Sequence, residues 1–358
     1  MFKPHMLTLA REAAGLTQAA IAQHAQVSQS LMSKIENGFE APSQEFLSKA
    51  AAICSVPVEF FDQDDSLPSD TVFDIFHKKR LTLPQKPLKK ANANVQKLRM
   101  EIARLLRSFD VPAPRPFPAL SLDAHDSAAE IALLTRATWR TPNGPFPNLV
   151  QAVEATGTPV ILTDLGHEKL RAMSIAGIKG DNAHVIALNS RLPASAQRFA
   201  LAHEVGHLVM HDGVSTSDME KEADDFASAL LMPAADISPQ LRNVRFRDLG
   251  ELKRRWRVSL AALIYRAHSL GLITERHYRT LNMDLNALPN GRKREPGEFE
   301  PEKPELVRSV IRAYCDELDY TVEDLCSLMV VTNQRLREQY DPEIPAERSM
   351  RFRLIQSS

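Results

Sequence analysis

Two histidines and a glutamate inside a short apolar segment are the residues of this chain best suited to chemistry. His203, Glu204 and His207 lie in the mostly apolar run 199–210, which is predicted to be helical. Residues four apart share one face of a helix, so both imidazoles can bind one tetrahedral Zn²⁺ while Glu204 meets water at the ion. The alternative is a pair of core histidines that flank a glutamate, but burying an unpaired Glu204 would be unfavourable. The spacing is typical of a metallopeptidase.

A third protein ligand is expected downstream, because a catalytic zinc has three protein ligands and one open position. The alternation of acids and apolar residues over 218–232 predicts a second helix. Glu220 and Asp224 lie four apart on one face of it. We therefore predict that Glu220 binds the metal and that Asp224 orients His203 or His207.

Two further residues near this site have side chains that can bind a metal ion. Glu222 is the competing third ligand, and a solvated helix face is the alternative for either glutamate. His211 lies about 12 Å beyond His203 along the helix axis, so we do not expect it to share an ion with both other histidines.

Segments 198–208 and 220–233 together resemble the ImmA/IrrE family of metallo-endopeptidases. The first reads RFALAHEVGHL, and the second contains EKEADDFA followed by LLMP. The resemblance covers roughly residues 125–275. It implies a cytoplasmic bacterial or phage zinc protease that cuts a transcriptional repressor, with two histidines and a glutamate on zinc and the motif glutamate as general base. Ala200, where many members carry a hydroxyl residue, is a departure without catalytic consequence.

The N-terminal part of the chain carries a second pattern. Residues 7–61 contain two short predicted helices, N-capped by Thr17 and Ser28, with a small apolar core between them. This stretch resembles the XRE family of phage-repressor-like DNA-binding domains, so its recognition helix would begin at Ser28. The resemblance implies DNA contacts from Gln18, Ser28, Gln29, Ser30, Ser33 and Lys34. The alternative is a helical protein–protein module.

The distribution of charge fits this DNA-binding prediction poorly. Residues 1–62 carry four Lys or Arg against six Asp or Glu, whereas phosphate binding usually leaves a basic surface. Residues 78–107 carry ten basic residues and a single acid, Glu101. Their leucines recur at helical spacing, so we expect an amphipathic helix that either contacts phosphate or packs on the peptidase domain.

The composition indicates a protein of several modest domains. The chain has 358 residues, of which 44% are hydrophobic and 25% are charged, and no uncharged apolar run reaches the length of a membrane span. We expect no signal peptide and no membrane association. The three cysteines are far apart and lack metal-binding spacing, so reduced thiols and a cytoplasmic location are expected.

The predicted fold class is multidomain and mainly α. We predict an all-α helix-turn-helix domain at 1–62, a basic helix and Pro-rich linker at 63–125, an α+β zincin-like peptidase domain at 126–285, and a linker with a helical C-terminal segment at 286–358. Within the peptidase domain we predict helices at 128–138, 149–156 and 249–274, and strands at 159–163, 172–178 and 184–188. Near the C-terminus, Thr321 to Thr332 echo the spacing of Thr17 to Ser28, which makes a second helix-turn-helix-like unit an alternative there.

The combined prediction is a DNA-binding transcriptional regulator fused to a zinc-dependent endopeptidase that cleaves a repressor protein, or itself, in a stress or mobile-element response. Its expected partners are a double-stranded DNA operator, the protein substrate and, from the helix-turn-helix resemblance, a second copy in a homodimer. The main alternative is a non-proteolytic regulator whose metal site is sensory or vestigial. A further alternative is an interaction scaffold with a structural zinc closed by four protein ligands.

Overall fold

A computed structural model describes residues 1–64, 84–109, 113–114, 117–118, 120–122, 124–175, 184–211, 218–289 and 295–340. The chain divides into two compact units. One comprises the described residues among 1–65, 96–110 and 307–358, and the other those among 66–95 and 111–306. The four consecutive domain ranges stay a prediction, and residues 65–83 of the segment predicted to be a basic helix and Pro-rich linker lie outside the described residues.

The described elements confirm a mainly α fold with one small sheet. In chain order the helices are α1 Pro4–Ala14, α2 Gln18–Ala25, α3 Gln29–Glu36, α4 Gln44–Cys54, α5 Gln85–Leu106, α6 Ala128–Thr138, α7 Leu149–Glu154, α8 Ala194–Met210, α9 Met219–Leu231, α10 Ala234–Leu241, α11 Leu249–Trp256, α12 Leu260–Ser269, α13 Glu275–Asn286, α14 Leu306–Glu317, α15 Val322–Met329 and α16 Asn333–Tyr340. The strands are β1 Val160–Thr163, β2 Ala172–Ile175 and β3 Val185–Asn189, and short 3-10 helices span Val58–Asp62 and Phe246–Asp248.

The first unit contains the predicted helix-turn-helix, formed by α2 and α3. The Thr17 and Ser28 hydroxyls each accept a hydrogen bond of 3.1 Å from the backbone N–H three residues later, so both predicted N-caps are present. Gln26 lies in the left-handed region at φ 61° and turns the chain between the helices. Ile21 and Met32 are fully buried and join the two helices through an apolar core.

The part of helix α5 from Gln96 onward packs against the C-terminal helices within this same unit. The Glu101 carboxylate is buried and accepts a 2.7 Å hydrogen bond from the Tyr340 hydroxyl, and it pairs with the Arg335 guanidinium at 3.4 Å. The Tyr314 hydroxyl donates to the backbone carbonyl of Leu105 at 3.0 Å. The C-terminal helices therefore belong to the unit that carries the helix-turn-helix.

The packing of α5 removes part of its positive charge from any phosphate-contacting role. Lys97, Arg99 and Arg104 are only 9%, 4% and 6% exposed. The Lys97 ammonium lies 5.6 Å from the ring centroid of Phe60, and Arg104 donates to the Met329 carbonyl at 3.0 Å. Phe60 and Met329 belong to the first unit, so the packing found for Lys97 and Arg104 is within that unit, whereas the alternative predicted packing on the peptidase domain. Basic residues 78–80 lie outside the described residues.

The second unit holds a three-stranded sheet in the order β1-β3-β2. Strand β3 runs parallel to β1, with Val160 opposite Ile186, and antiparallel to β2, with Ala172 opposite Leu188. The three predicted strands are confirmed to within a residue or two where they are described; residues 176–178 of the second lie outside the described residues. Strands β2 and β3 are buried throughout and β1 over its first two residues, which explains their nearly continuous apolar sequence.

The helices around the sheet follow the predictions. The predicted helix 128–138 is confirmed as α6. The segment predicted to be helical over 249–274 is helical but is divided into α11 and α12. Arg257 adopts the left-handed conformation at φ 54°, which ends α11, and Ser259 then caps α12 by accepting a hydrogen bond from the Ala262 N–H.

A segment predicted to be a linker is bound to this unit through three glutamates. Glu295 accepts a 2.7 Å hydrogen bond from the first backbone N–H of α12, and Glu298 accepts one of 2.7 Å near the start of α8. Glu302 accepts bonds of 2.8 and 2.9 Å from the first two N–H groups of α7. Because the first N–H groups of a helix lack partners within it, these carboxylates act as distant caps on three helices.

Among the described residues, no helix combines the length and apolarity that crossing a bilayer requires.

Candidate metal centre and DNA-reading helix

Helices α8 and α9 bring His203, His207 and Glu220 together. The two Nε2 atoms are 3.0 Å apart, and the Glu220 oxygens lie 3.6 Å from His203 Nε2 and 3.5 Å from His207 Nε2. With zinc–ligand bonds of about 2.0–2.1 Å, the ligand atoms of a tetrahedral site are about 3.3 Å apart. Two imidazole nitrogens and one carboxylate at these spacings therefore fit a zinc ion.

Close approach of the two helices is permitted by Gly206, which lies between the motif glutamate and the second histidine. A Cβ atom at this position would lie 3.0 to 3.3 Å from the Cδ1, Cγ and Cβ atoms of Phe226 on α9. Phe226 is fully buried. The absence of a side chain at Gly206 thus lets α9, which carries Glu220, pack directly on the helix that carries both histidines.

Both histidines are oriented through their Nδ1 atoms. The Asp224 carboxylate lies 2.8 Å from His203 Nδ1, while His211 Nδ1 lies 3.1 Å from His207 Nδ1. The Glu222 carboxylate in turn lies 2.9 Å from His211 Nε2. Partners at Nδ1 direct Nε2 of each ring to the common centre, a usual arrangement around metal-bound imidazoles.

The structure distinguishes the positions of the two candidate third ligands, Glu220 and Glu222. Glu220 lies at the centre with both histidines, whereas Glu222 lies behind His211. Asp224 contacts His203 rather than His207. The chain from His207 through His211 to Glu222 was missed from sequence, although a histidine one turn after the motif was visible.

The electrostatics of the centre favour a positive charge. Burial lowers the pKa of His203, but the bonds to Asp224 and Glu220 and the nearby charge of Glu204 outweigh it, so this pKa rises to about 9. A cation is therefore favoured where these acids converge. A metal ion at Nε2 has to displace that proton, which makes metal binding weaker at lower pH.

The motif glutamate is held by a residue that sequence reasoning missed. The Ser174 hydroxyl on β2 donates a 2.6 Å hydrogen bond to Glu204 Oε2. Glu204 is 2% exposed, so this bond fixes a buried carboxylate beside the centre. The local sequence signal was weak, since a serine in an otherwise apolar strand has many uses.

The predicted DNA-contacting residues lie on and around α3. Ser28, Gln29, Ser30 and Lys34 are exposed, and Ser33 is half-buried. The Ser28 hydroxyl is occupied as a helix cap. Gln18 is also half-buried, and its amide donates a 2.6 Å hydrogen bond to Glu36 Oε2. The Arg11 guanidinium donates a bond of 2.6 Å to the other oxygen of the same carboxylate. The side chain of Gln18 is thus oriented by the core of the domain.

The fold and the centre together define a helix-turn-helix protein that also carries a two-helix site of metallopeptidase type. Residues 5–60 match the model of a helix-turn-helix domain, and residues 153–268 match that of the IrrE N-terminal-like domain of the M78 peptidases. The radiation response metalloprotease IrrE of Deinococcus deserti is 40% identical over 100 residues, which cover 23% of this chain and 35% of that protein. The chain therefore spans about a third of the length of this curated relative. These matches confirm both resemblances: the chain joins a helix-turn-helix DNA-binding domain to an IrrE-like metallopeptidase domain.

Proposed function

We propose that the chain is a transcriptional regulator whose second unit is a zinc-dependent endopeptidase. The observation that carries this proposal is the convergence of His203, His207 and Glu220 at spacings that suit tetrahedral zinc. Among the described residues only these three would hold the ion, which would leave a fourth position for water as in catalytic sites, whereas a structural zinc is closed by four protein ligands. The raised pKa of His203 adds that the pocket favours a cation.

In this mechanism Glu204 is the general base. When bound, zinc supplies Lewis-acid polarisation of the peptide carbonyl and lowers the pKa of attacking water toward neutrality. The Glu204 carboxylate takes a proton from that water as the water oxygen adds to the carbonyl carbon. It then delivers the proton to the amide nitrogen as the C–N bond breaks. Ser174 and Asp224 hold Glu204 and His203 in place for these steps.

An extended polypeptide is the substrate that this site suits. Strand β2 carries Ser174 beside the centre and pairs on one edge with β3. Its other edge pairs with no described strand, so a substrate chain can add to the sheet there. We propose that the substrate is a repressor protein or the chain itself, cleaved in a stress or mobile-element response in the cytoplasm. A homodimer at a double-stranded operator completes the proposal.

Metal analysis combined with a cleavage assay tests the peptidase. The purified chain is loaded with zinc and incubated alone and with candidate repressors, and products are identified by mass spectrometry. We expect about one zinc ion per chain. E204Q should keep zinc but lose cleavage, whereas E220A should lose both zinc and cleavage. E222A is the comparison variant: it removes the partner of His211, not a ligand, so it should weaken zinc retention less than E220A does. Full zinc in E220A and loss in E222A would contradict the ligand assignment.

A second experiment tests the DNA-binding half. An operator is selected from random duplexes with the whole chain, and binding is then measured at several salt concentrations. Gln29→Ala should weaken specific binding about 5- to 150-fold, the effect of one lost bidentate base contact, and leave nonspecific binding nearly unchanged. Gln23→Ala, on the exposed face of α2, is the matched control. Equal effects of both changes would refute base reading by α3.

A further inference from the structure

Helices α15 and α16 repeat α2 and α3. Helices α15 and α16 have the same lengths as α2 and α3, eight residues each, and lie 304 positions later. The turns correspond residue by residue. Gln26 at φ 61° matches Val330 at φ 56°, and Gly15 at φ 73° matches Asp319 at φ 55°. Two independent left-handed positions at the same spacing make the correspondence a structural repeat.

Hydrogen bonds at the helix ends repeat in the same way. The Thr321 hydroxyl caps α15 at 3.2 Å, as the Thr17 hydroxyl caps α2. The Thr332 hydroxyl caps α16 at 3.2 Å, as the Ser28 hydroxyl caps α3. Inside each turn the backbone N–H of a valine returns to the preceding helix, at 2.9 Å in the first copy and 3.0 Å in the second.

The buried positions also coincide. Ile21 corresponds to Leu325, and both are fully buried; Met32 corresponds to Leu336, and both are fully buried. These residues join the two helices of each pair through an apolar core. The second copy therefore has the internal packing of a helix-turn-helix as well as its turn geometry.

A turn of this kind does not by itself make a DNA-reading element. The turn between α11 and α12 has the same form, with Arg257 left-handed and Ser259 as the cap. There, however, Leu260 stands at the position of Gln29; it is 3% exposed, and its N–H is bonded to Glu295. The distinguishing feature is whether the first turn of the second helix presents polar side chains to solvent.

Helix α16 does present them. Asn333 and Gln334 are exposed at the positions of Gln29 and Ser30, and Arg337 is exposed one turn later. Asn and Gln pair with adenine, and Arg pairs with guanine, in the major groove. The opposite side of α16 is anchored, since Arg335 pairs with Glu101 and Tyr340 donates to it.

We propose that α15 and α16 form a second DNA-reading helix-turn-helix, so that one chain reads two separate blocks of base pairs. Charge explains why two would be needed. Residues 17–36 carry one Lys and one Glu, and residues 321–340 carry two Arg against three acids. Neither element has a basic surplus, so each alone binds phosphate weakly. Two elements on one chain raise overall affinity, because binding of the second becomes intramolecular.

The test is selection of a duplex from a random pool by the whole chain, followed by footprinting and by selection with variants. We expect two kinds of protected block, one of each per chain, so that a homodimer protects two of each kind. Asn333→Ala and Arg337→Ala should each weaken binding about 5- to 150-fold and relax base preference in one block alone, while Gln29→Ala does so in the other. Arg337→Lys keeps the charge but loses the bidentate contact, so it should behave like Arg337→Ala.

Arg312→Ala is the matched control, because it removes an exposed arginine from α14, outside the turn. It should leave both blocks unchanged. A single kind of protected block, with a sequence unaffected by Asn333→Ala and Arg337→Ala, would overturn the second element and leave the first intact. No selected duplex at all would overturn both this inference and the DNA-binding part of the proposed function, whereas the zinc and cleavage assays are independent of either result.

Discussion

Replacing Glu295 by alanine tests how much one of the three helix-capping glutamates contributes to the stability of the peptidase unit. The Lys253 ammonium is fully buried and is held by Glu295 at 2.9 Å and Glu298 at 2.7 Å. Glu295 also accepts the backbone N–H groups of Leu260 and Ala261 at the start of α12, at 2.7 and 3.3 Å. The change therefore leaves a buried cation with one partner fewer and removes an acceptor shared by two N–H groups.

The expected loss follows from these contacts. Removing one partner of a buried ion pair costs about 3–5 kcal/mol, because the remaining charge stays desolvated. The unpaired N–H groups add to this loss and the remaining Glu298 offsets part of it, so we expect about 3–5 kcal/mol in total for Glu295→Ala. Adding Lys253→Met should recover much of the loss, since the buried charge is then absent.

Tryptophan fluorescence in a urea titration measures this change selectively. The chain has two tryptophans, Trp139 and Trp256; both are fully buried, and both lie in the peptidase unit. Glu275→Ala is the matched control, because it removes exposed contacts with Arg279 and His268 and should cost no more than about 1 kcal/mol. If Glu295→Ala lowers the free energy of unfolding no more than Glu275→Ala does, the buried-charge reasoning is refuted.

Three further predictions concern the centre and the thiols. Gly206→Ala should force the ring of Phe226 away and weaken zinc retention, measured by competition with a chelator, whereas Gly250→Ala, which meets open space, should not; equal zinc retention in both would contradict the close-packing argument. Zinc at 100 times its Kd should raise the free energy of unfolding by about 2.7 kcal/mol, so removing it by chelation should lower the urea midpoint seen by tryptophan. An unchanged midpoint would mean that the native unit does not bind zinc. Burial raises the pKa of Cys54 from 9.0 to about 11. At pH 8 the thiolate fraction of Cys54 should thus be about 100-fold lower in the native chain than in the unfolded chain, and the rate of thiol labelling should rise tenfold per pH unit. The contribution of this thiol to the free energy of unfolding is fully present below pH 9 and is lost as the pH rises through about 11. Labelling of native Cys54 as fast as that of the half-buried Cys326 would disprove this.

The sequence by itself determined the features that depend on neighbouring residues. Four-residue spacing places His203 and His207 on one helix face, whatever surrounds that helix. The hydroxyls of Thr17 and Ser28 bind N–H groups only three residues away, so both caps could be read from local sequence. The two family resemblances rest on the same short-range patterns.

Tertiary structure decided the features that depend on distant segments. The approach of α9 to Gly206 sets Glu220 beside the histidines and Glu222 behind His211. The hydrogen bond from Ser174 to Glu204 spans 30 residues. Nothing in local spacing encodes such contacts, because they arise from how whole helices and strands pack.

Charged residues show the same division most clearly. Lys97 and Glu295 were read from sequence as parts of a basic surface and of a linker, since charged residues are usually solvated. In the fold, Lys97 lies over Phe60, and Glu295 holds Lys253 and the start of α12. A sequence states which residues are charged, but only the packed chain supplies the partner that makes burying a charge favourable.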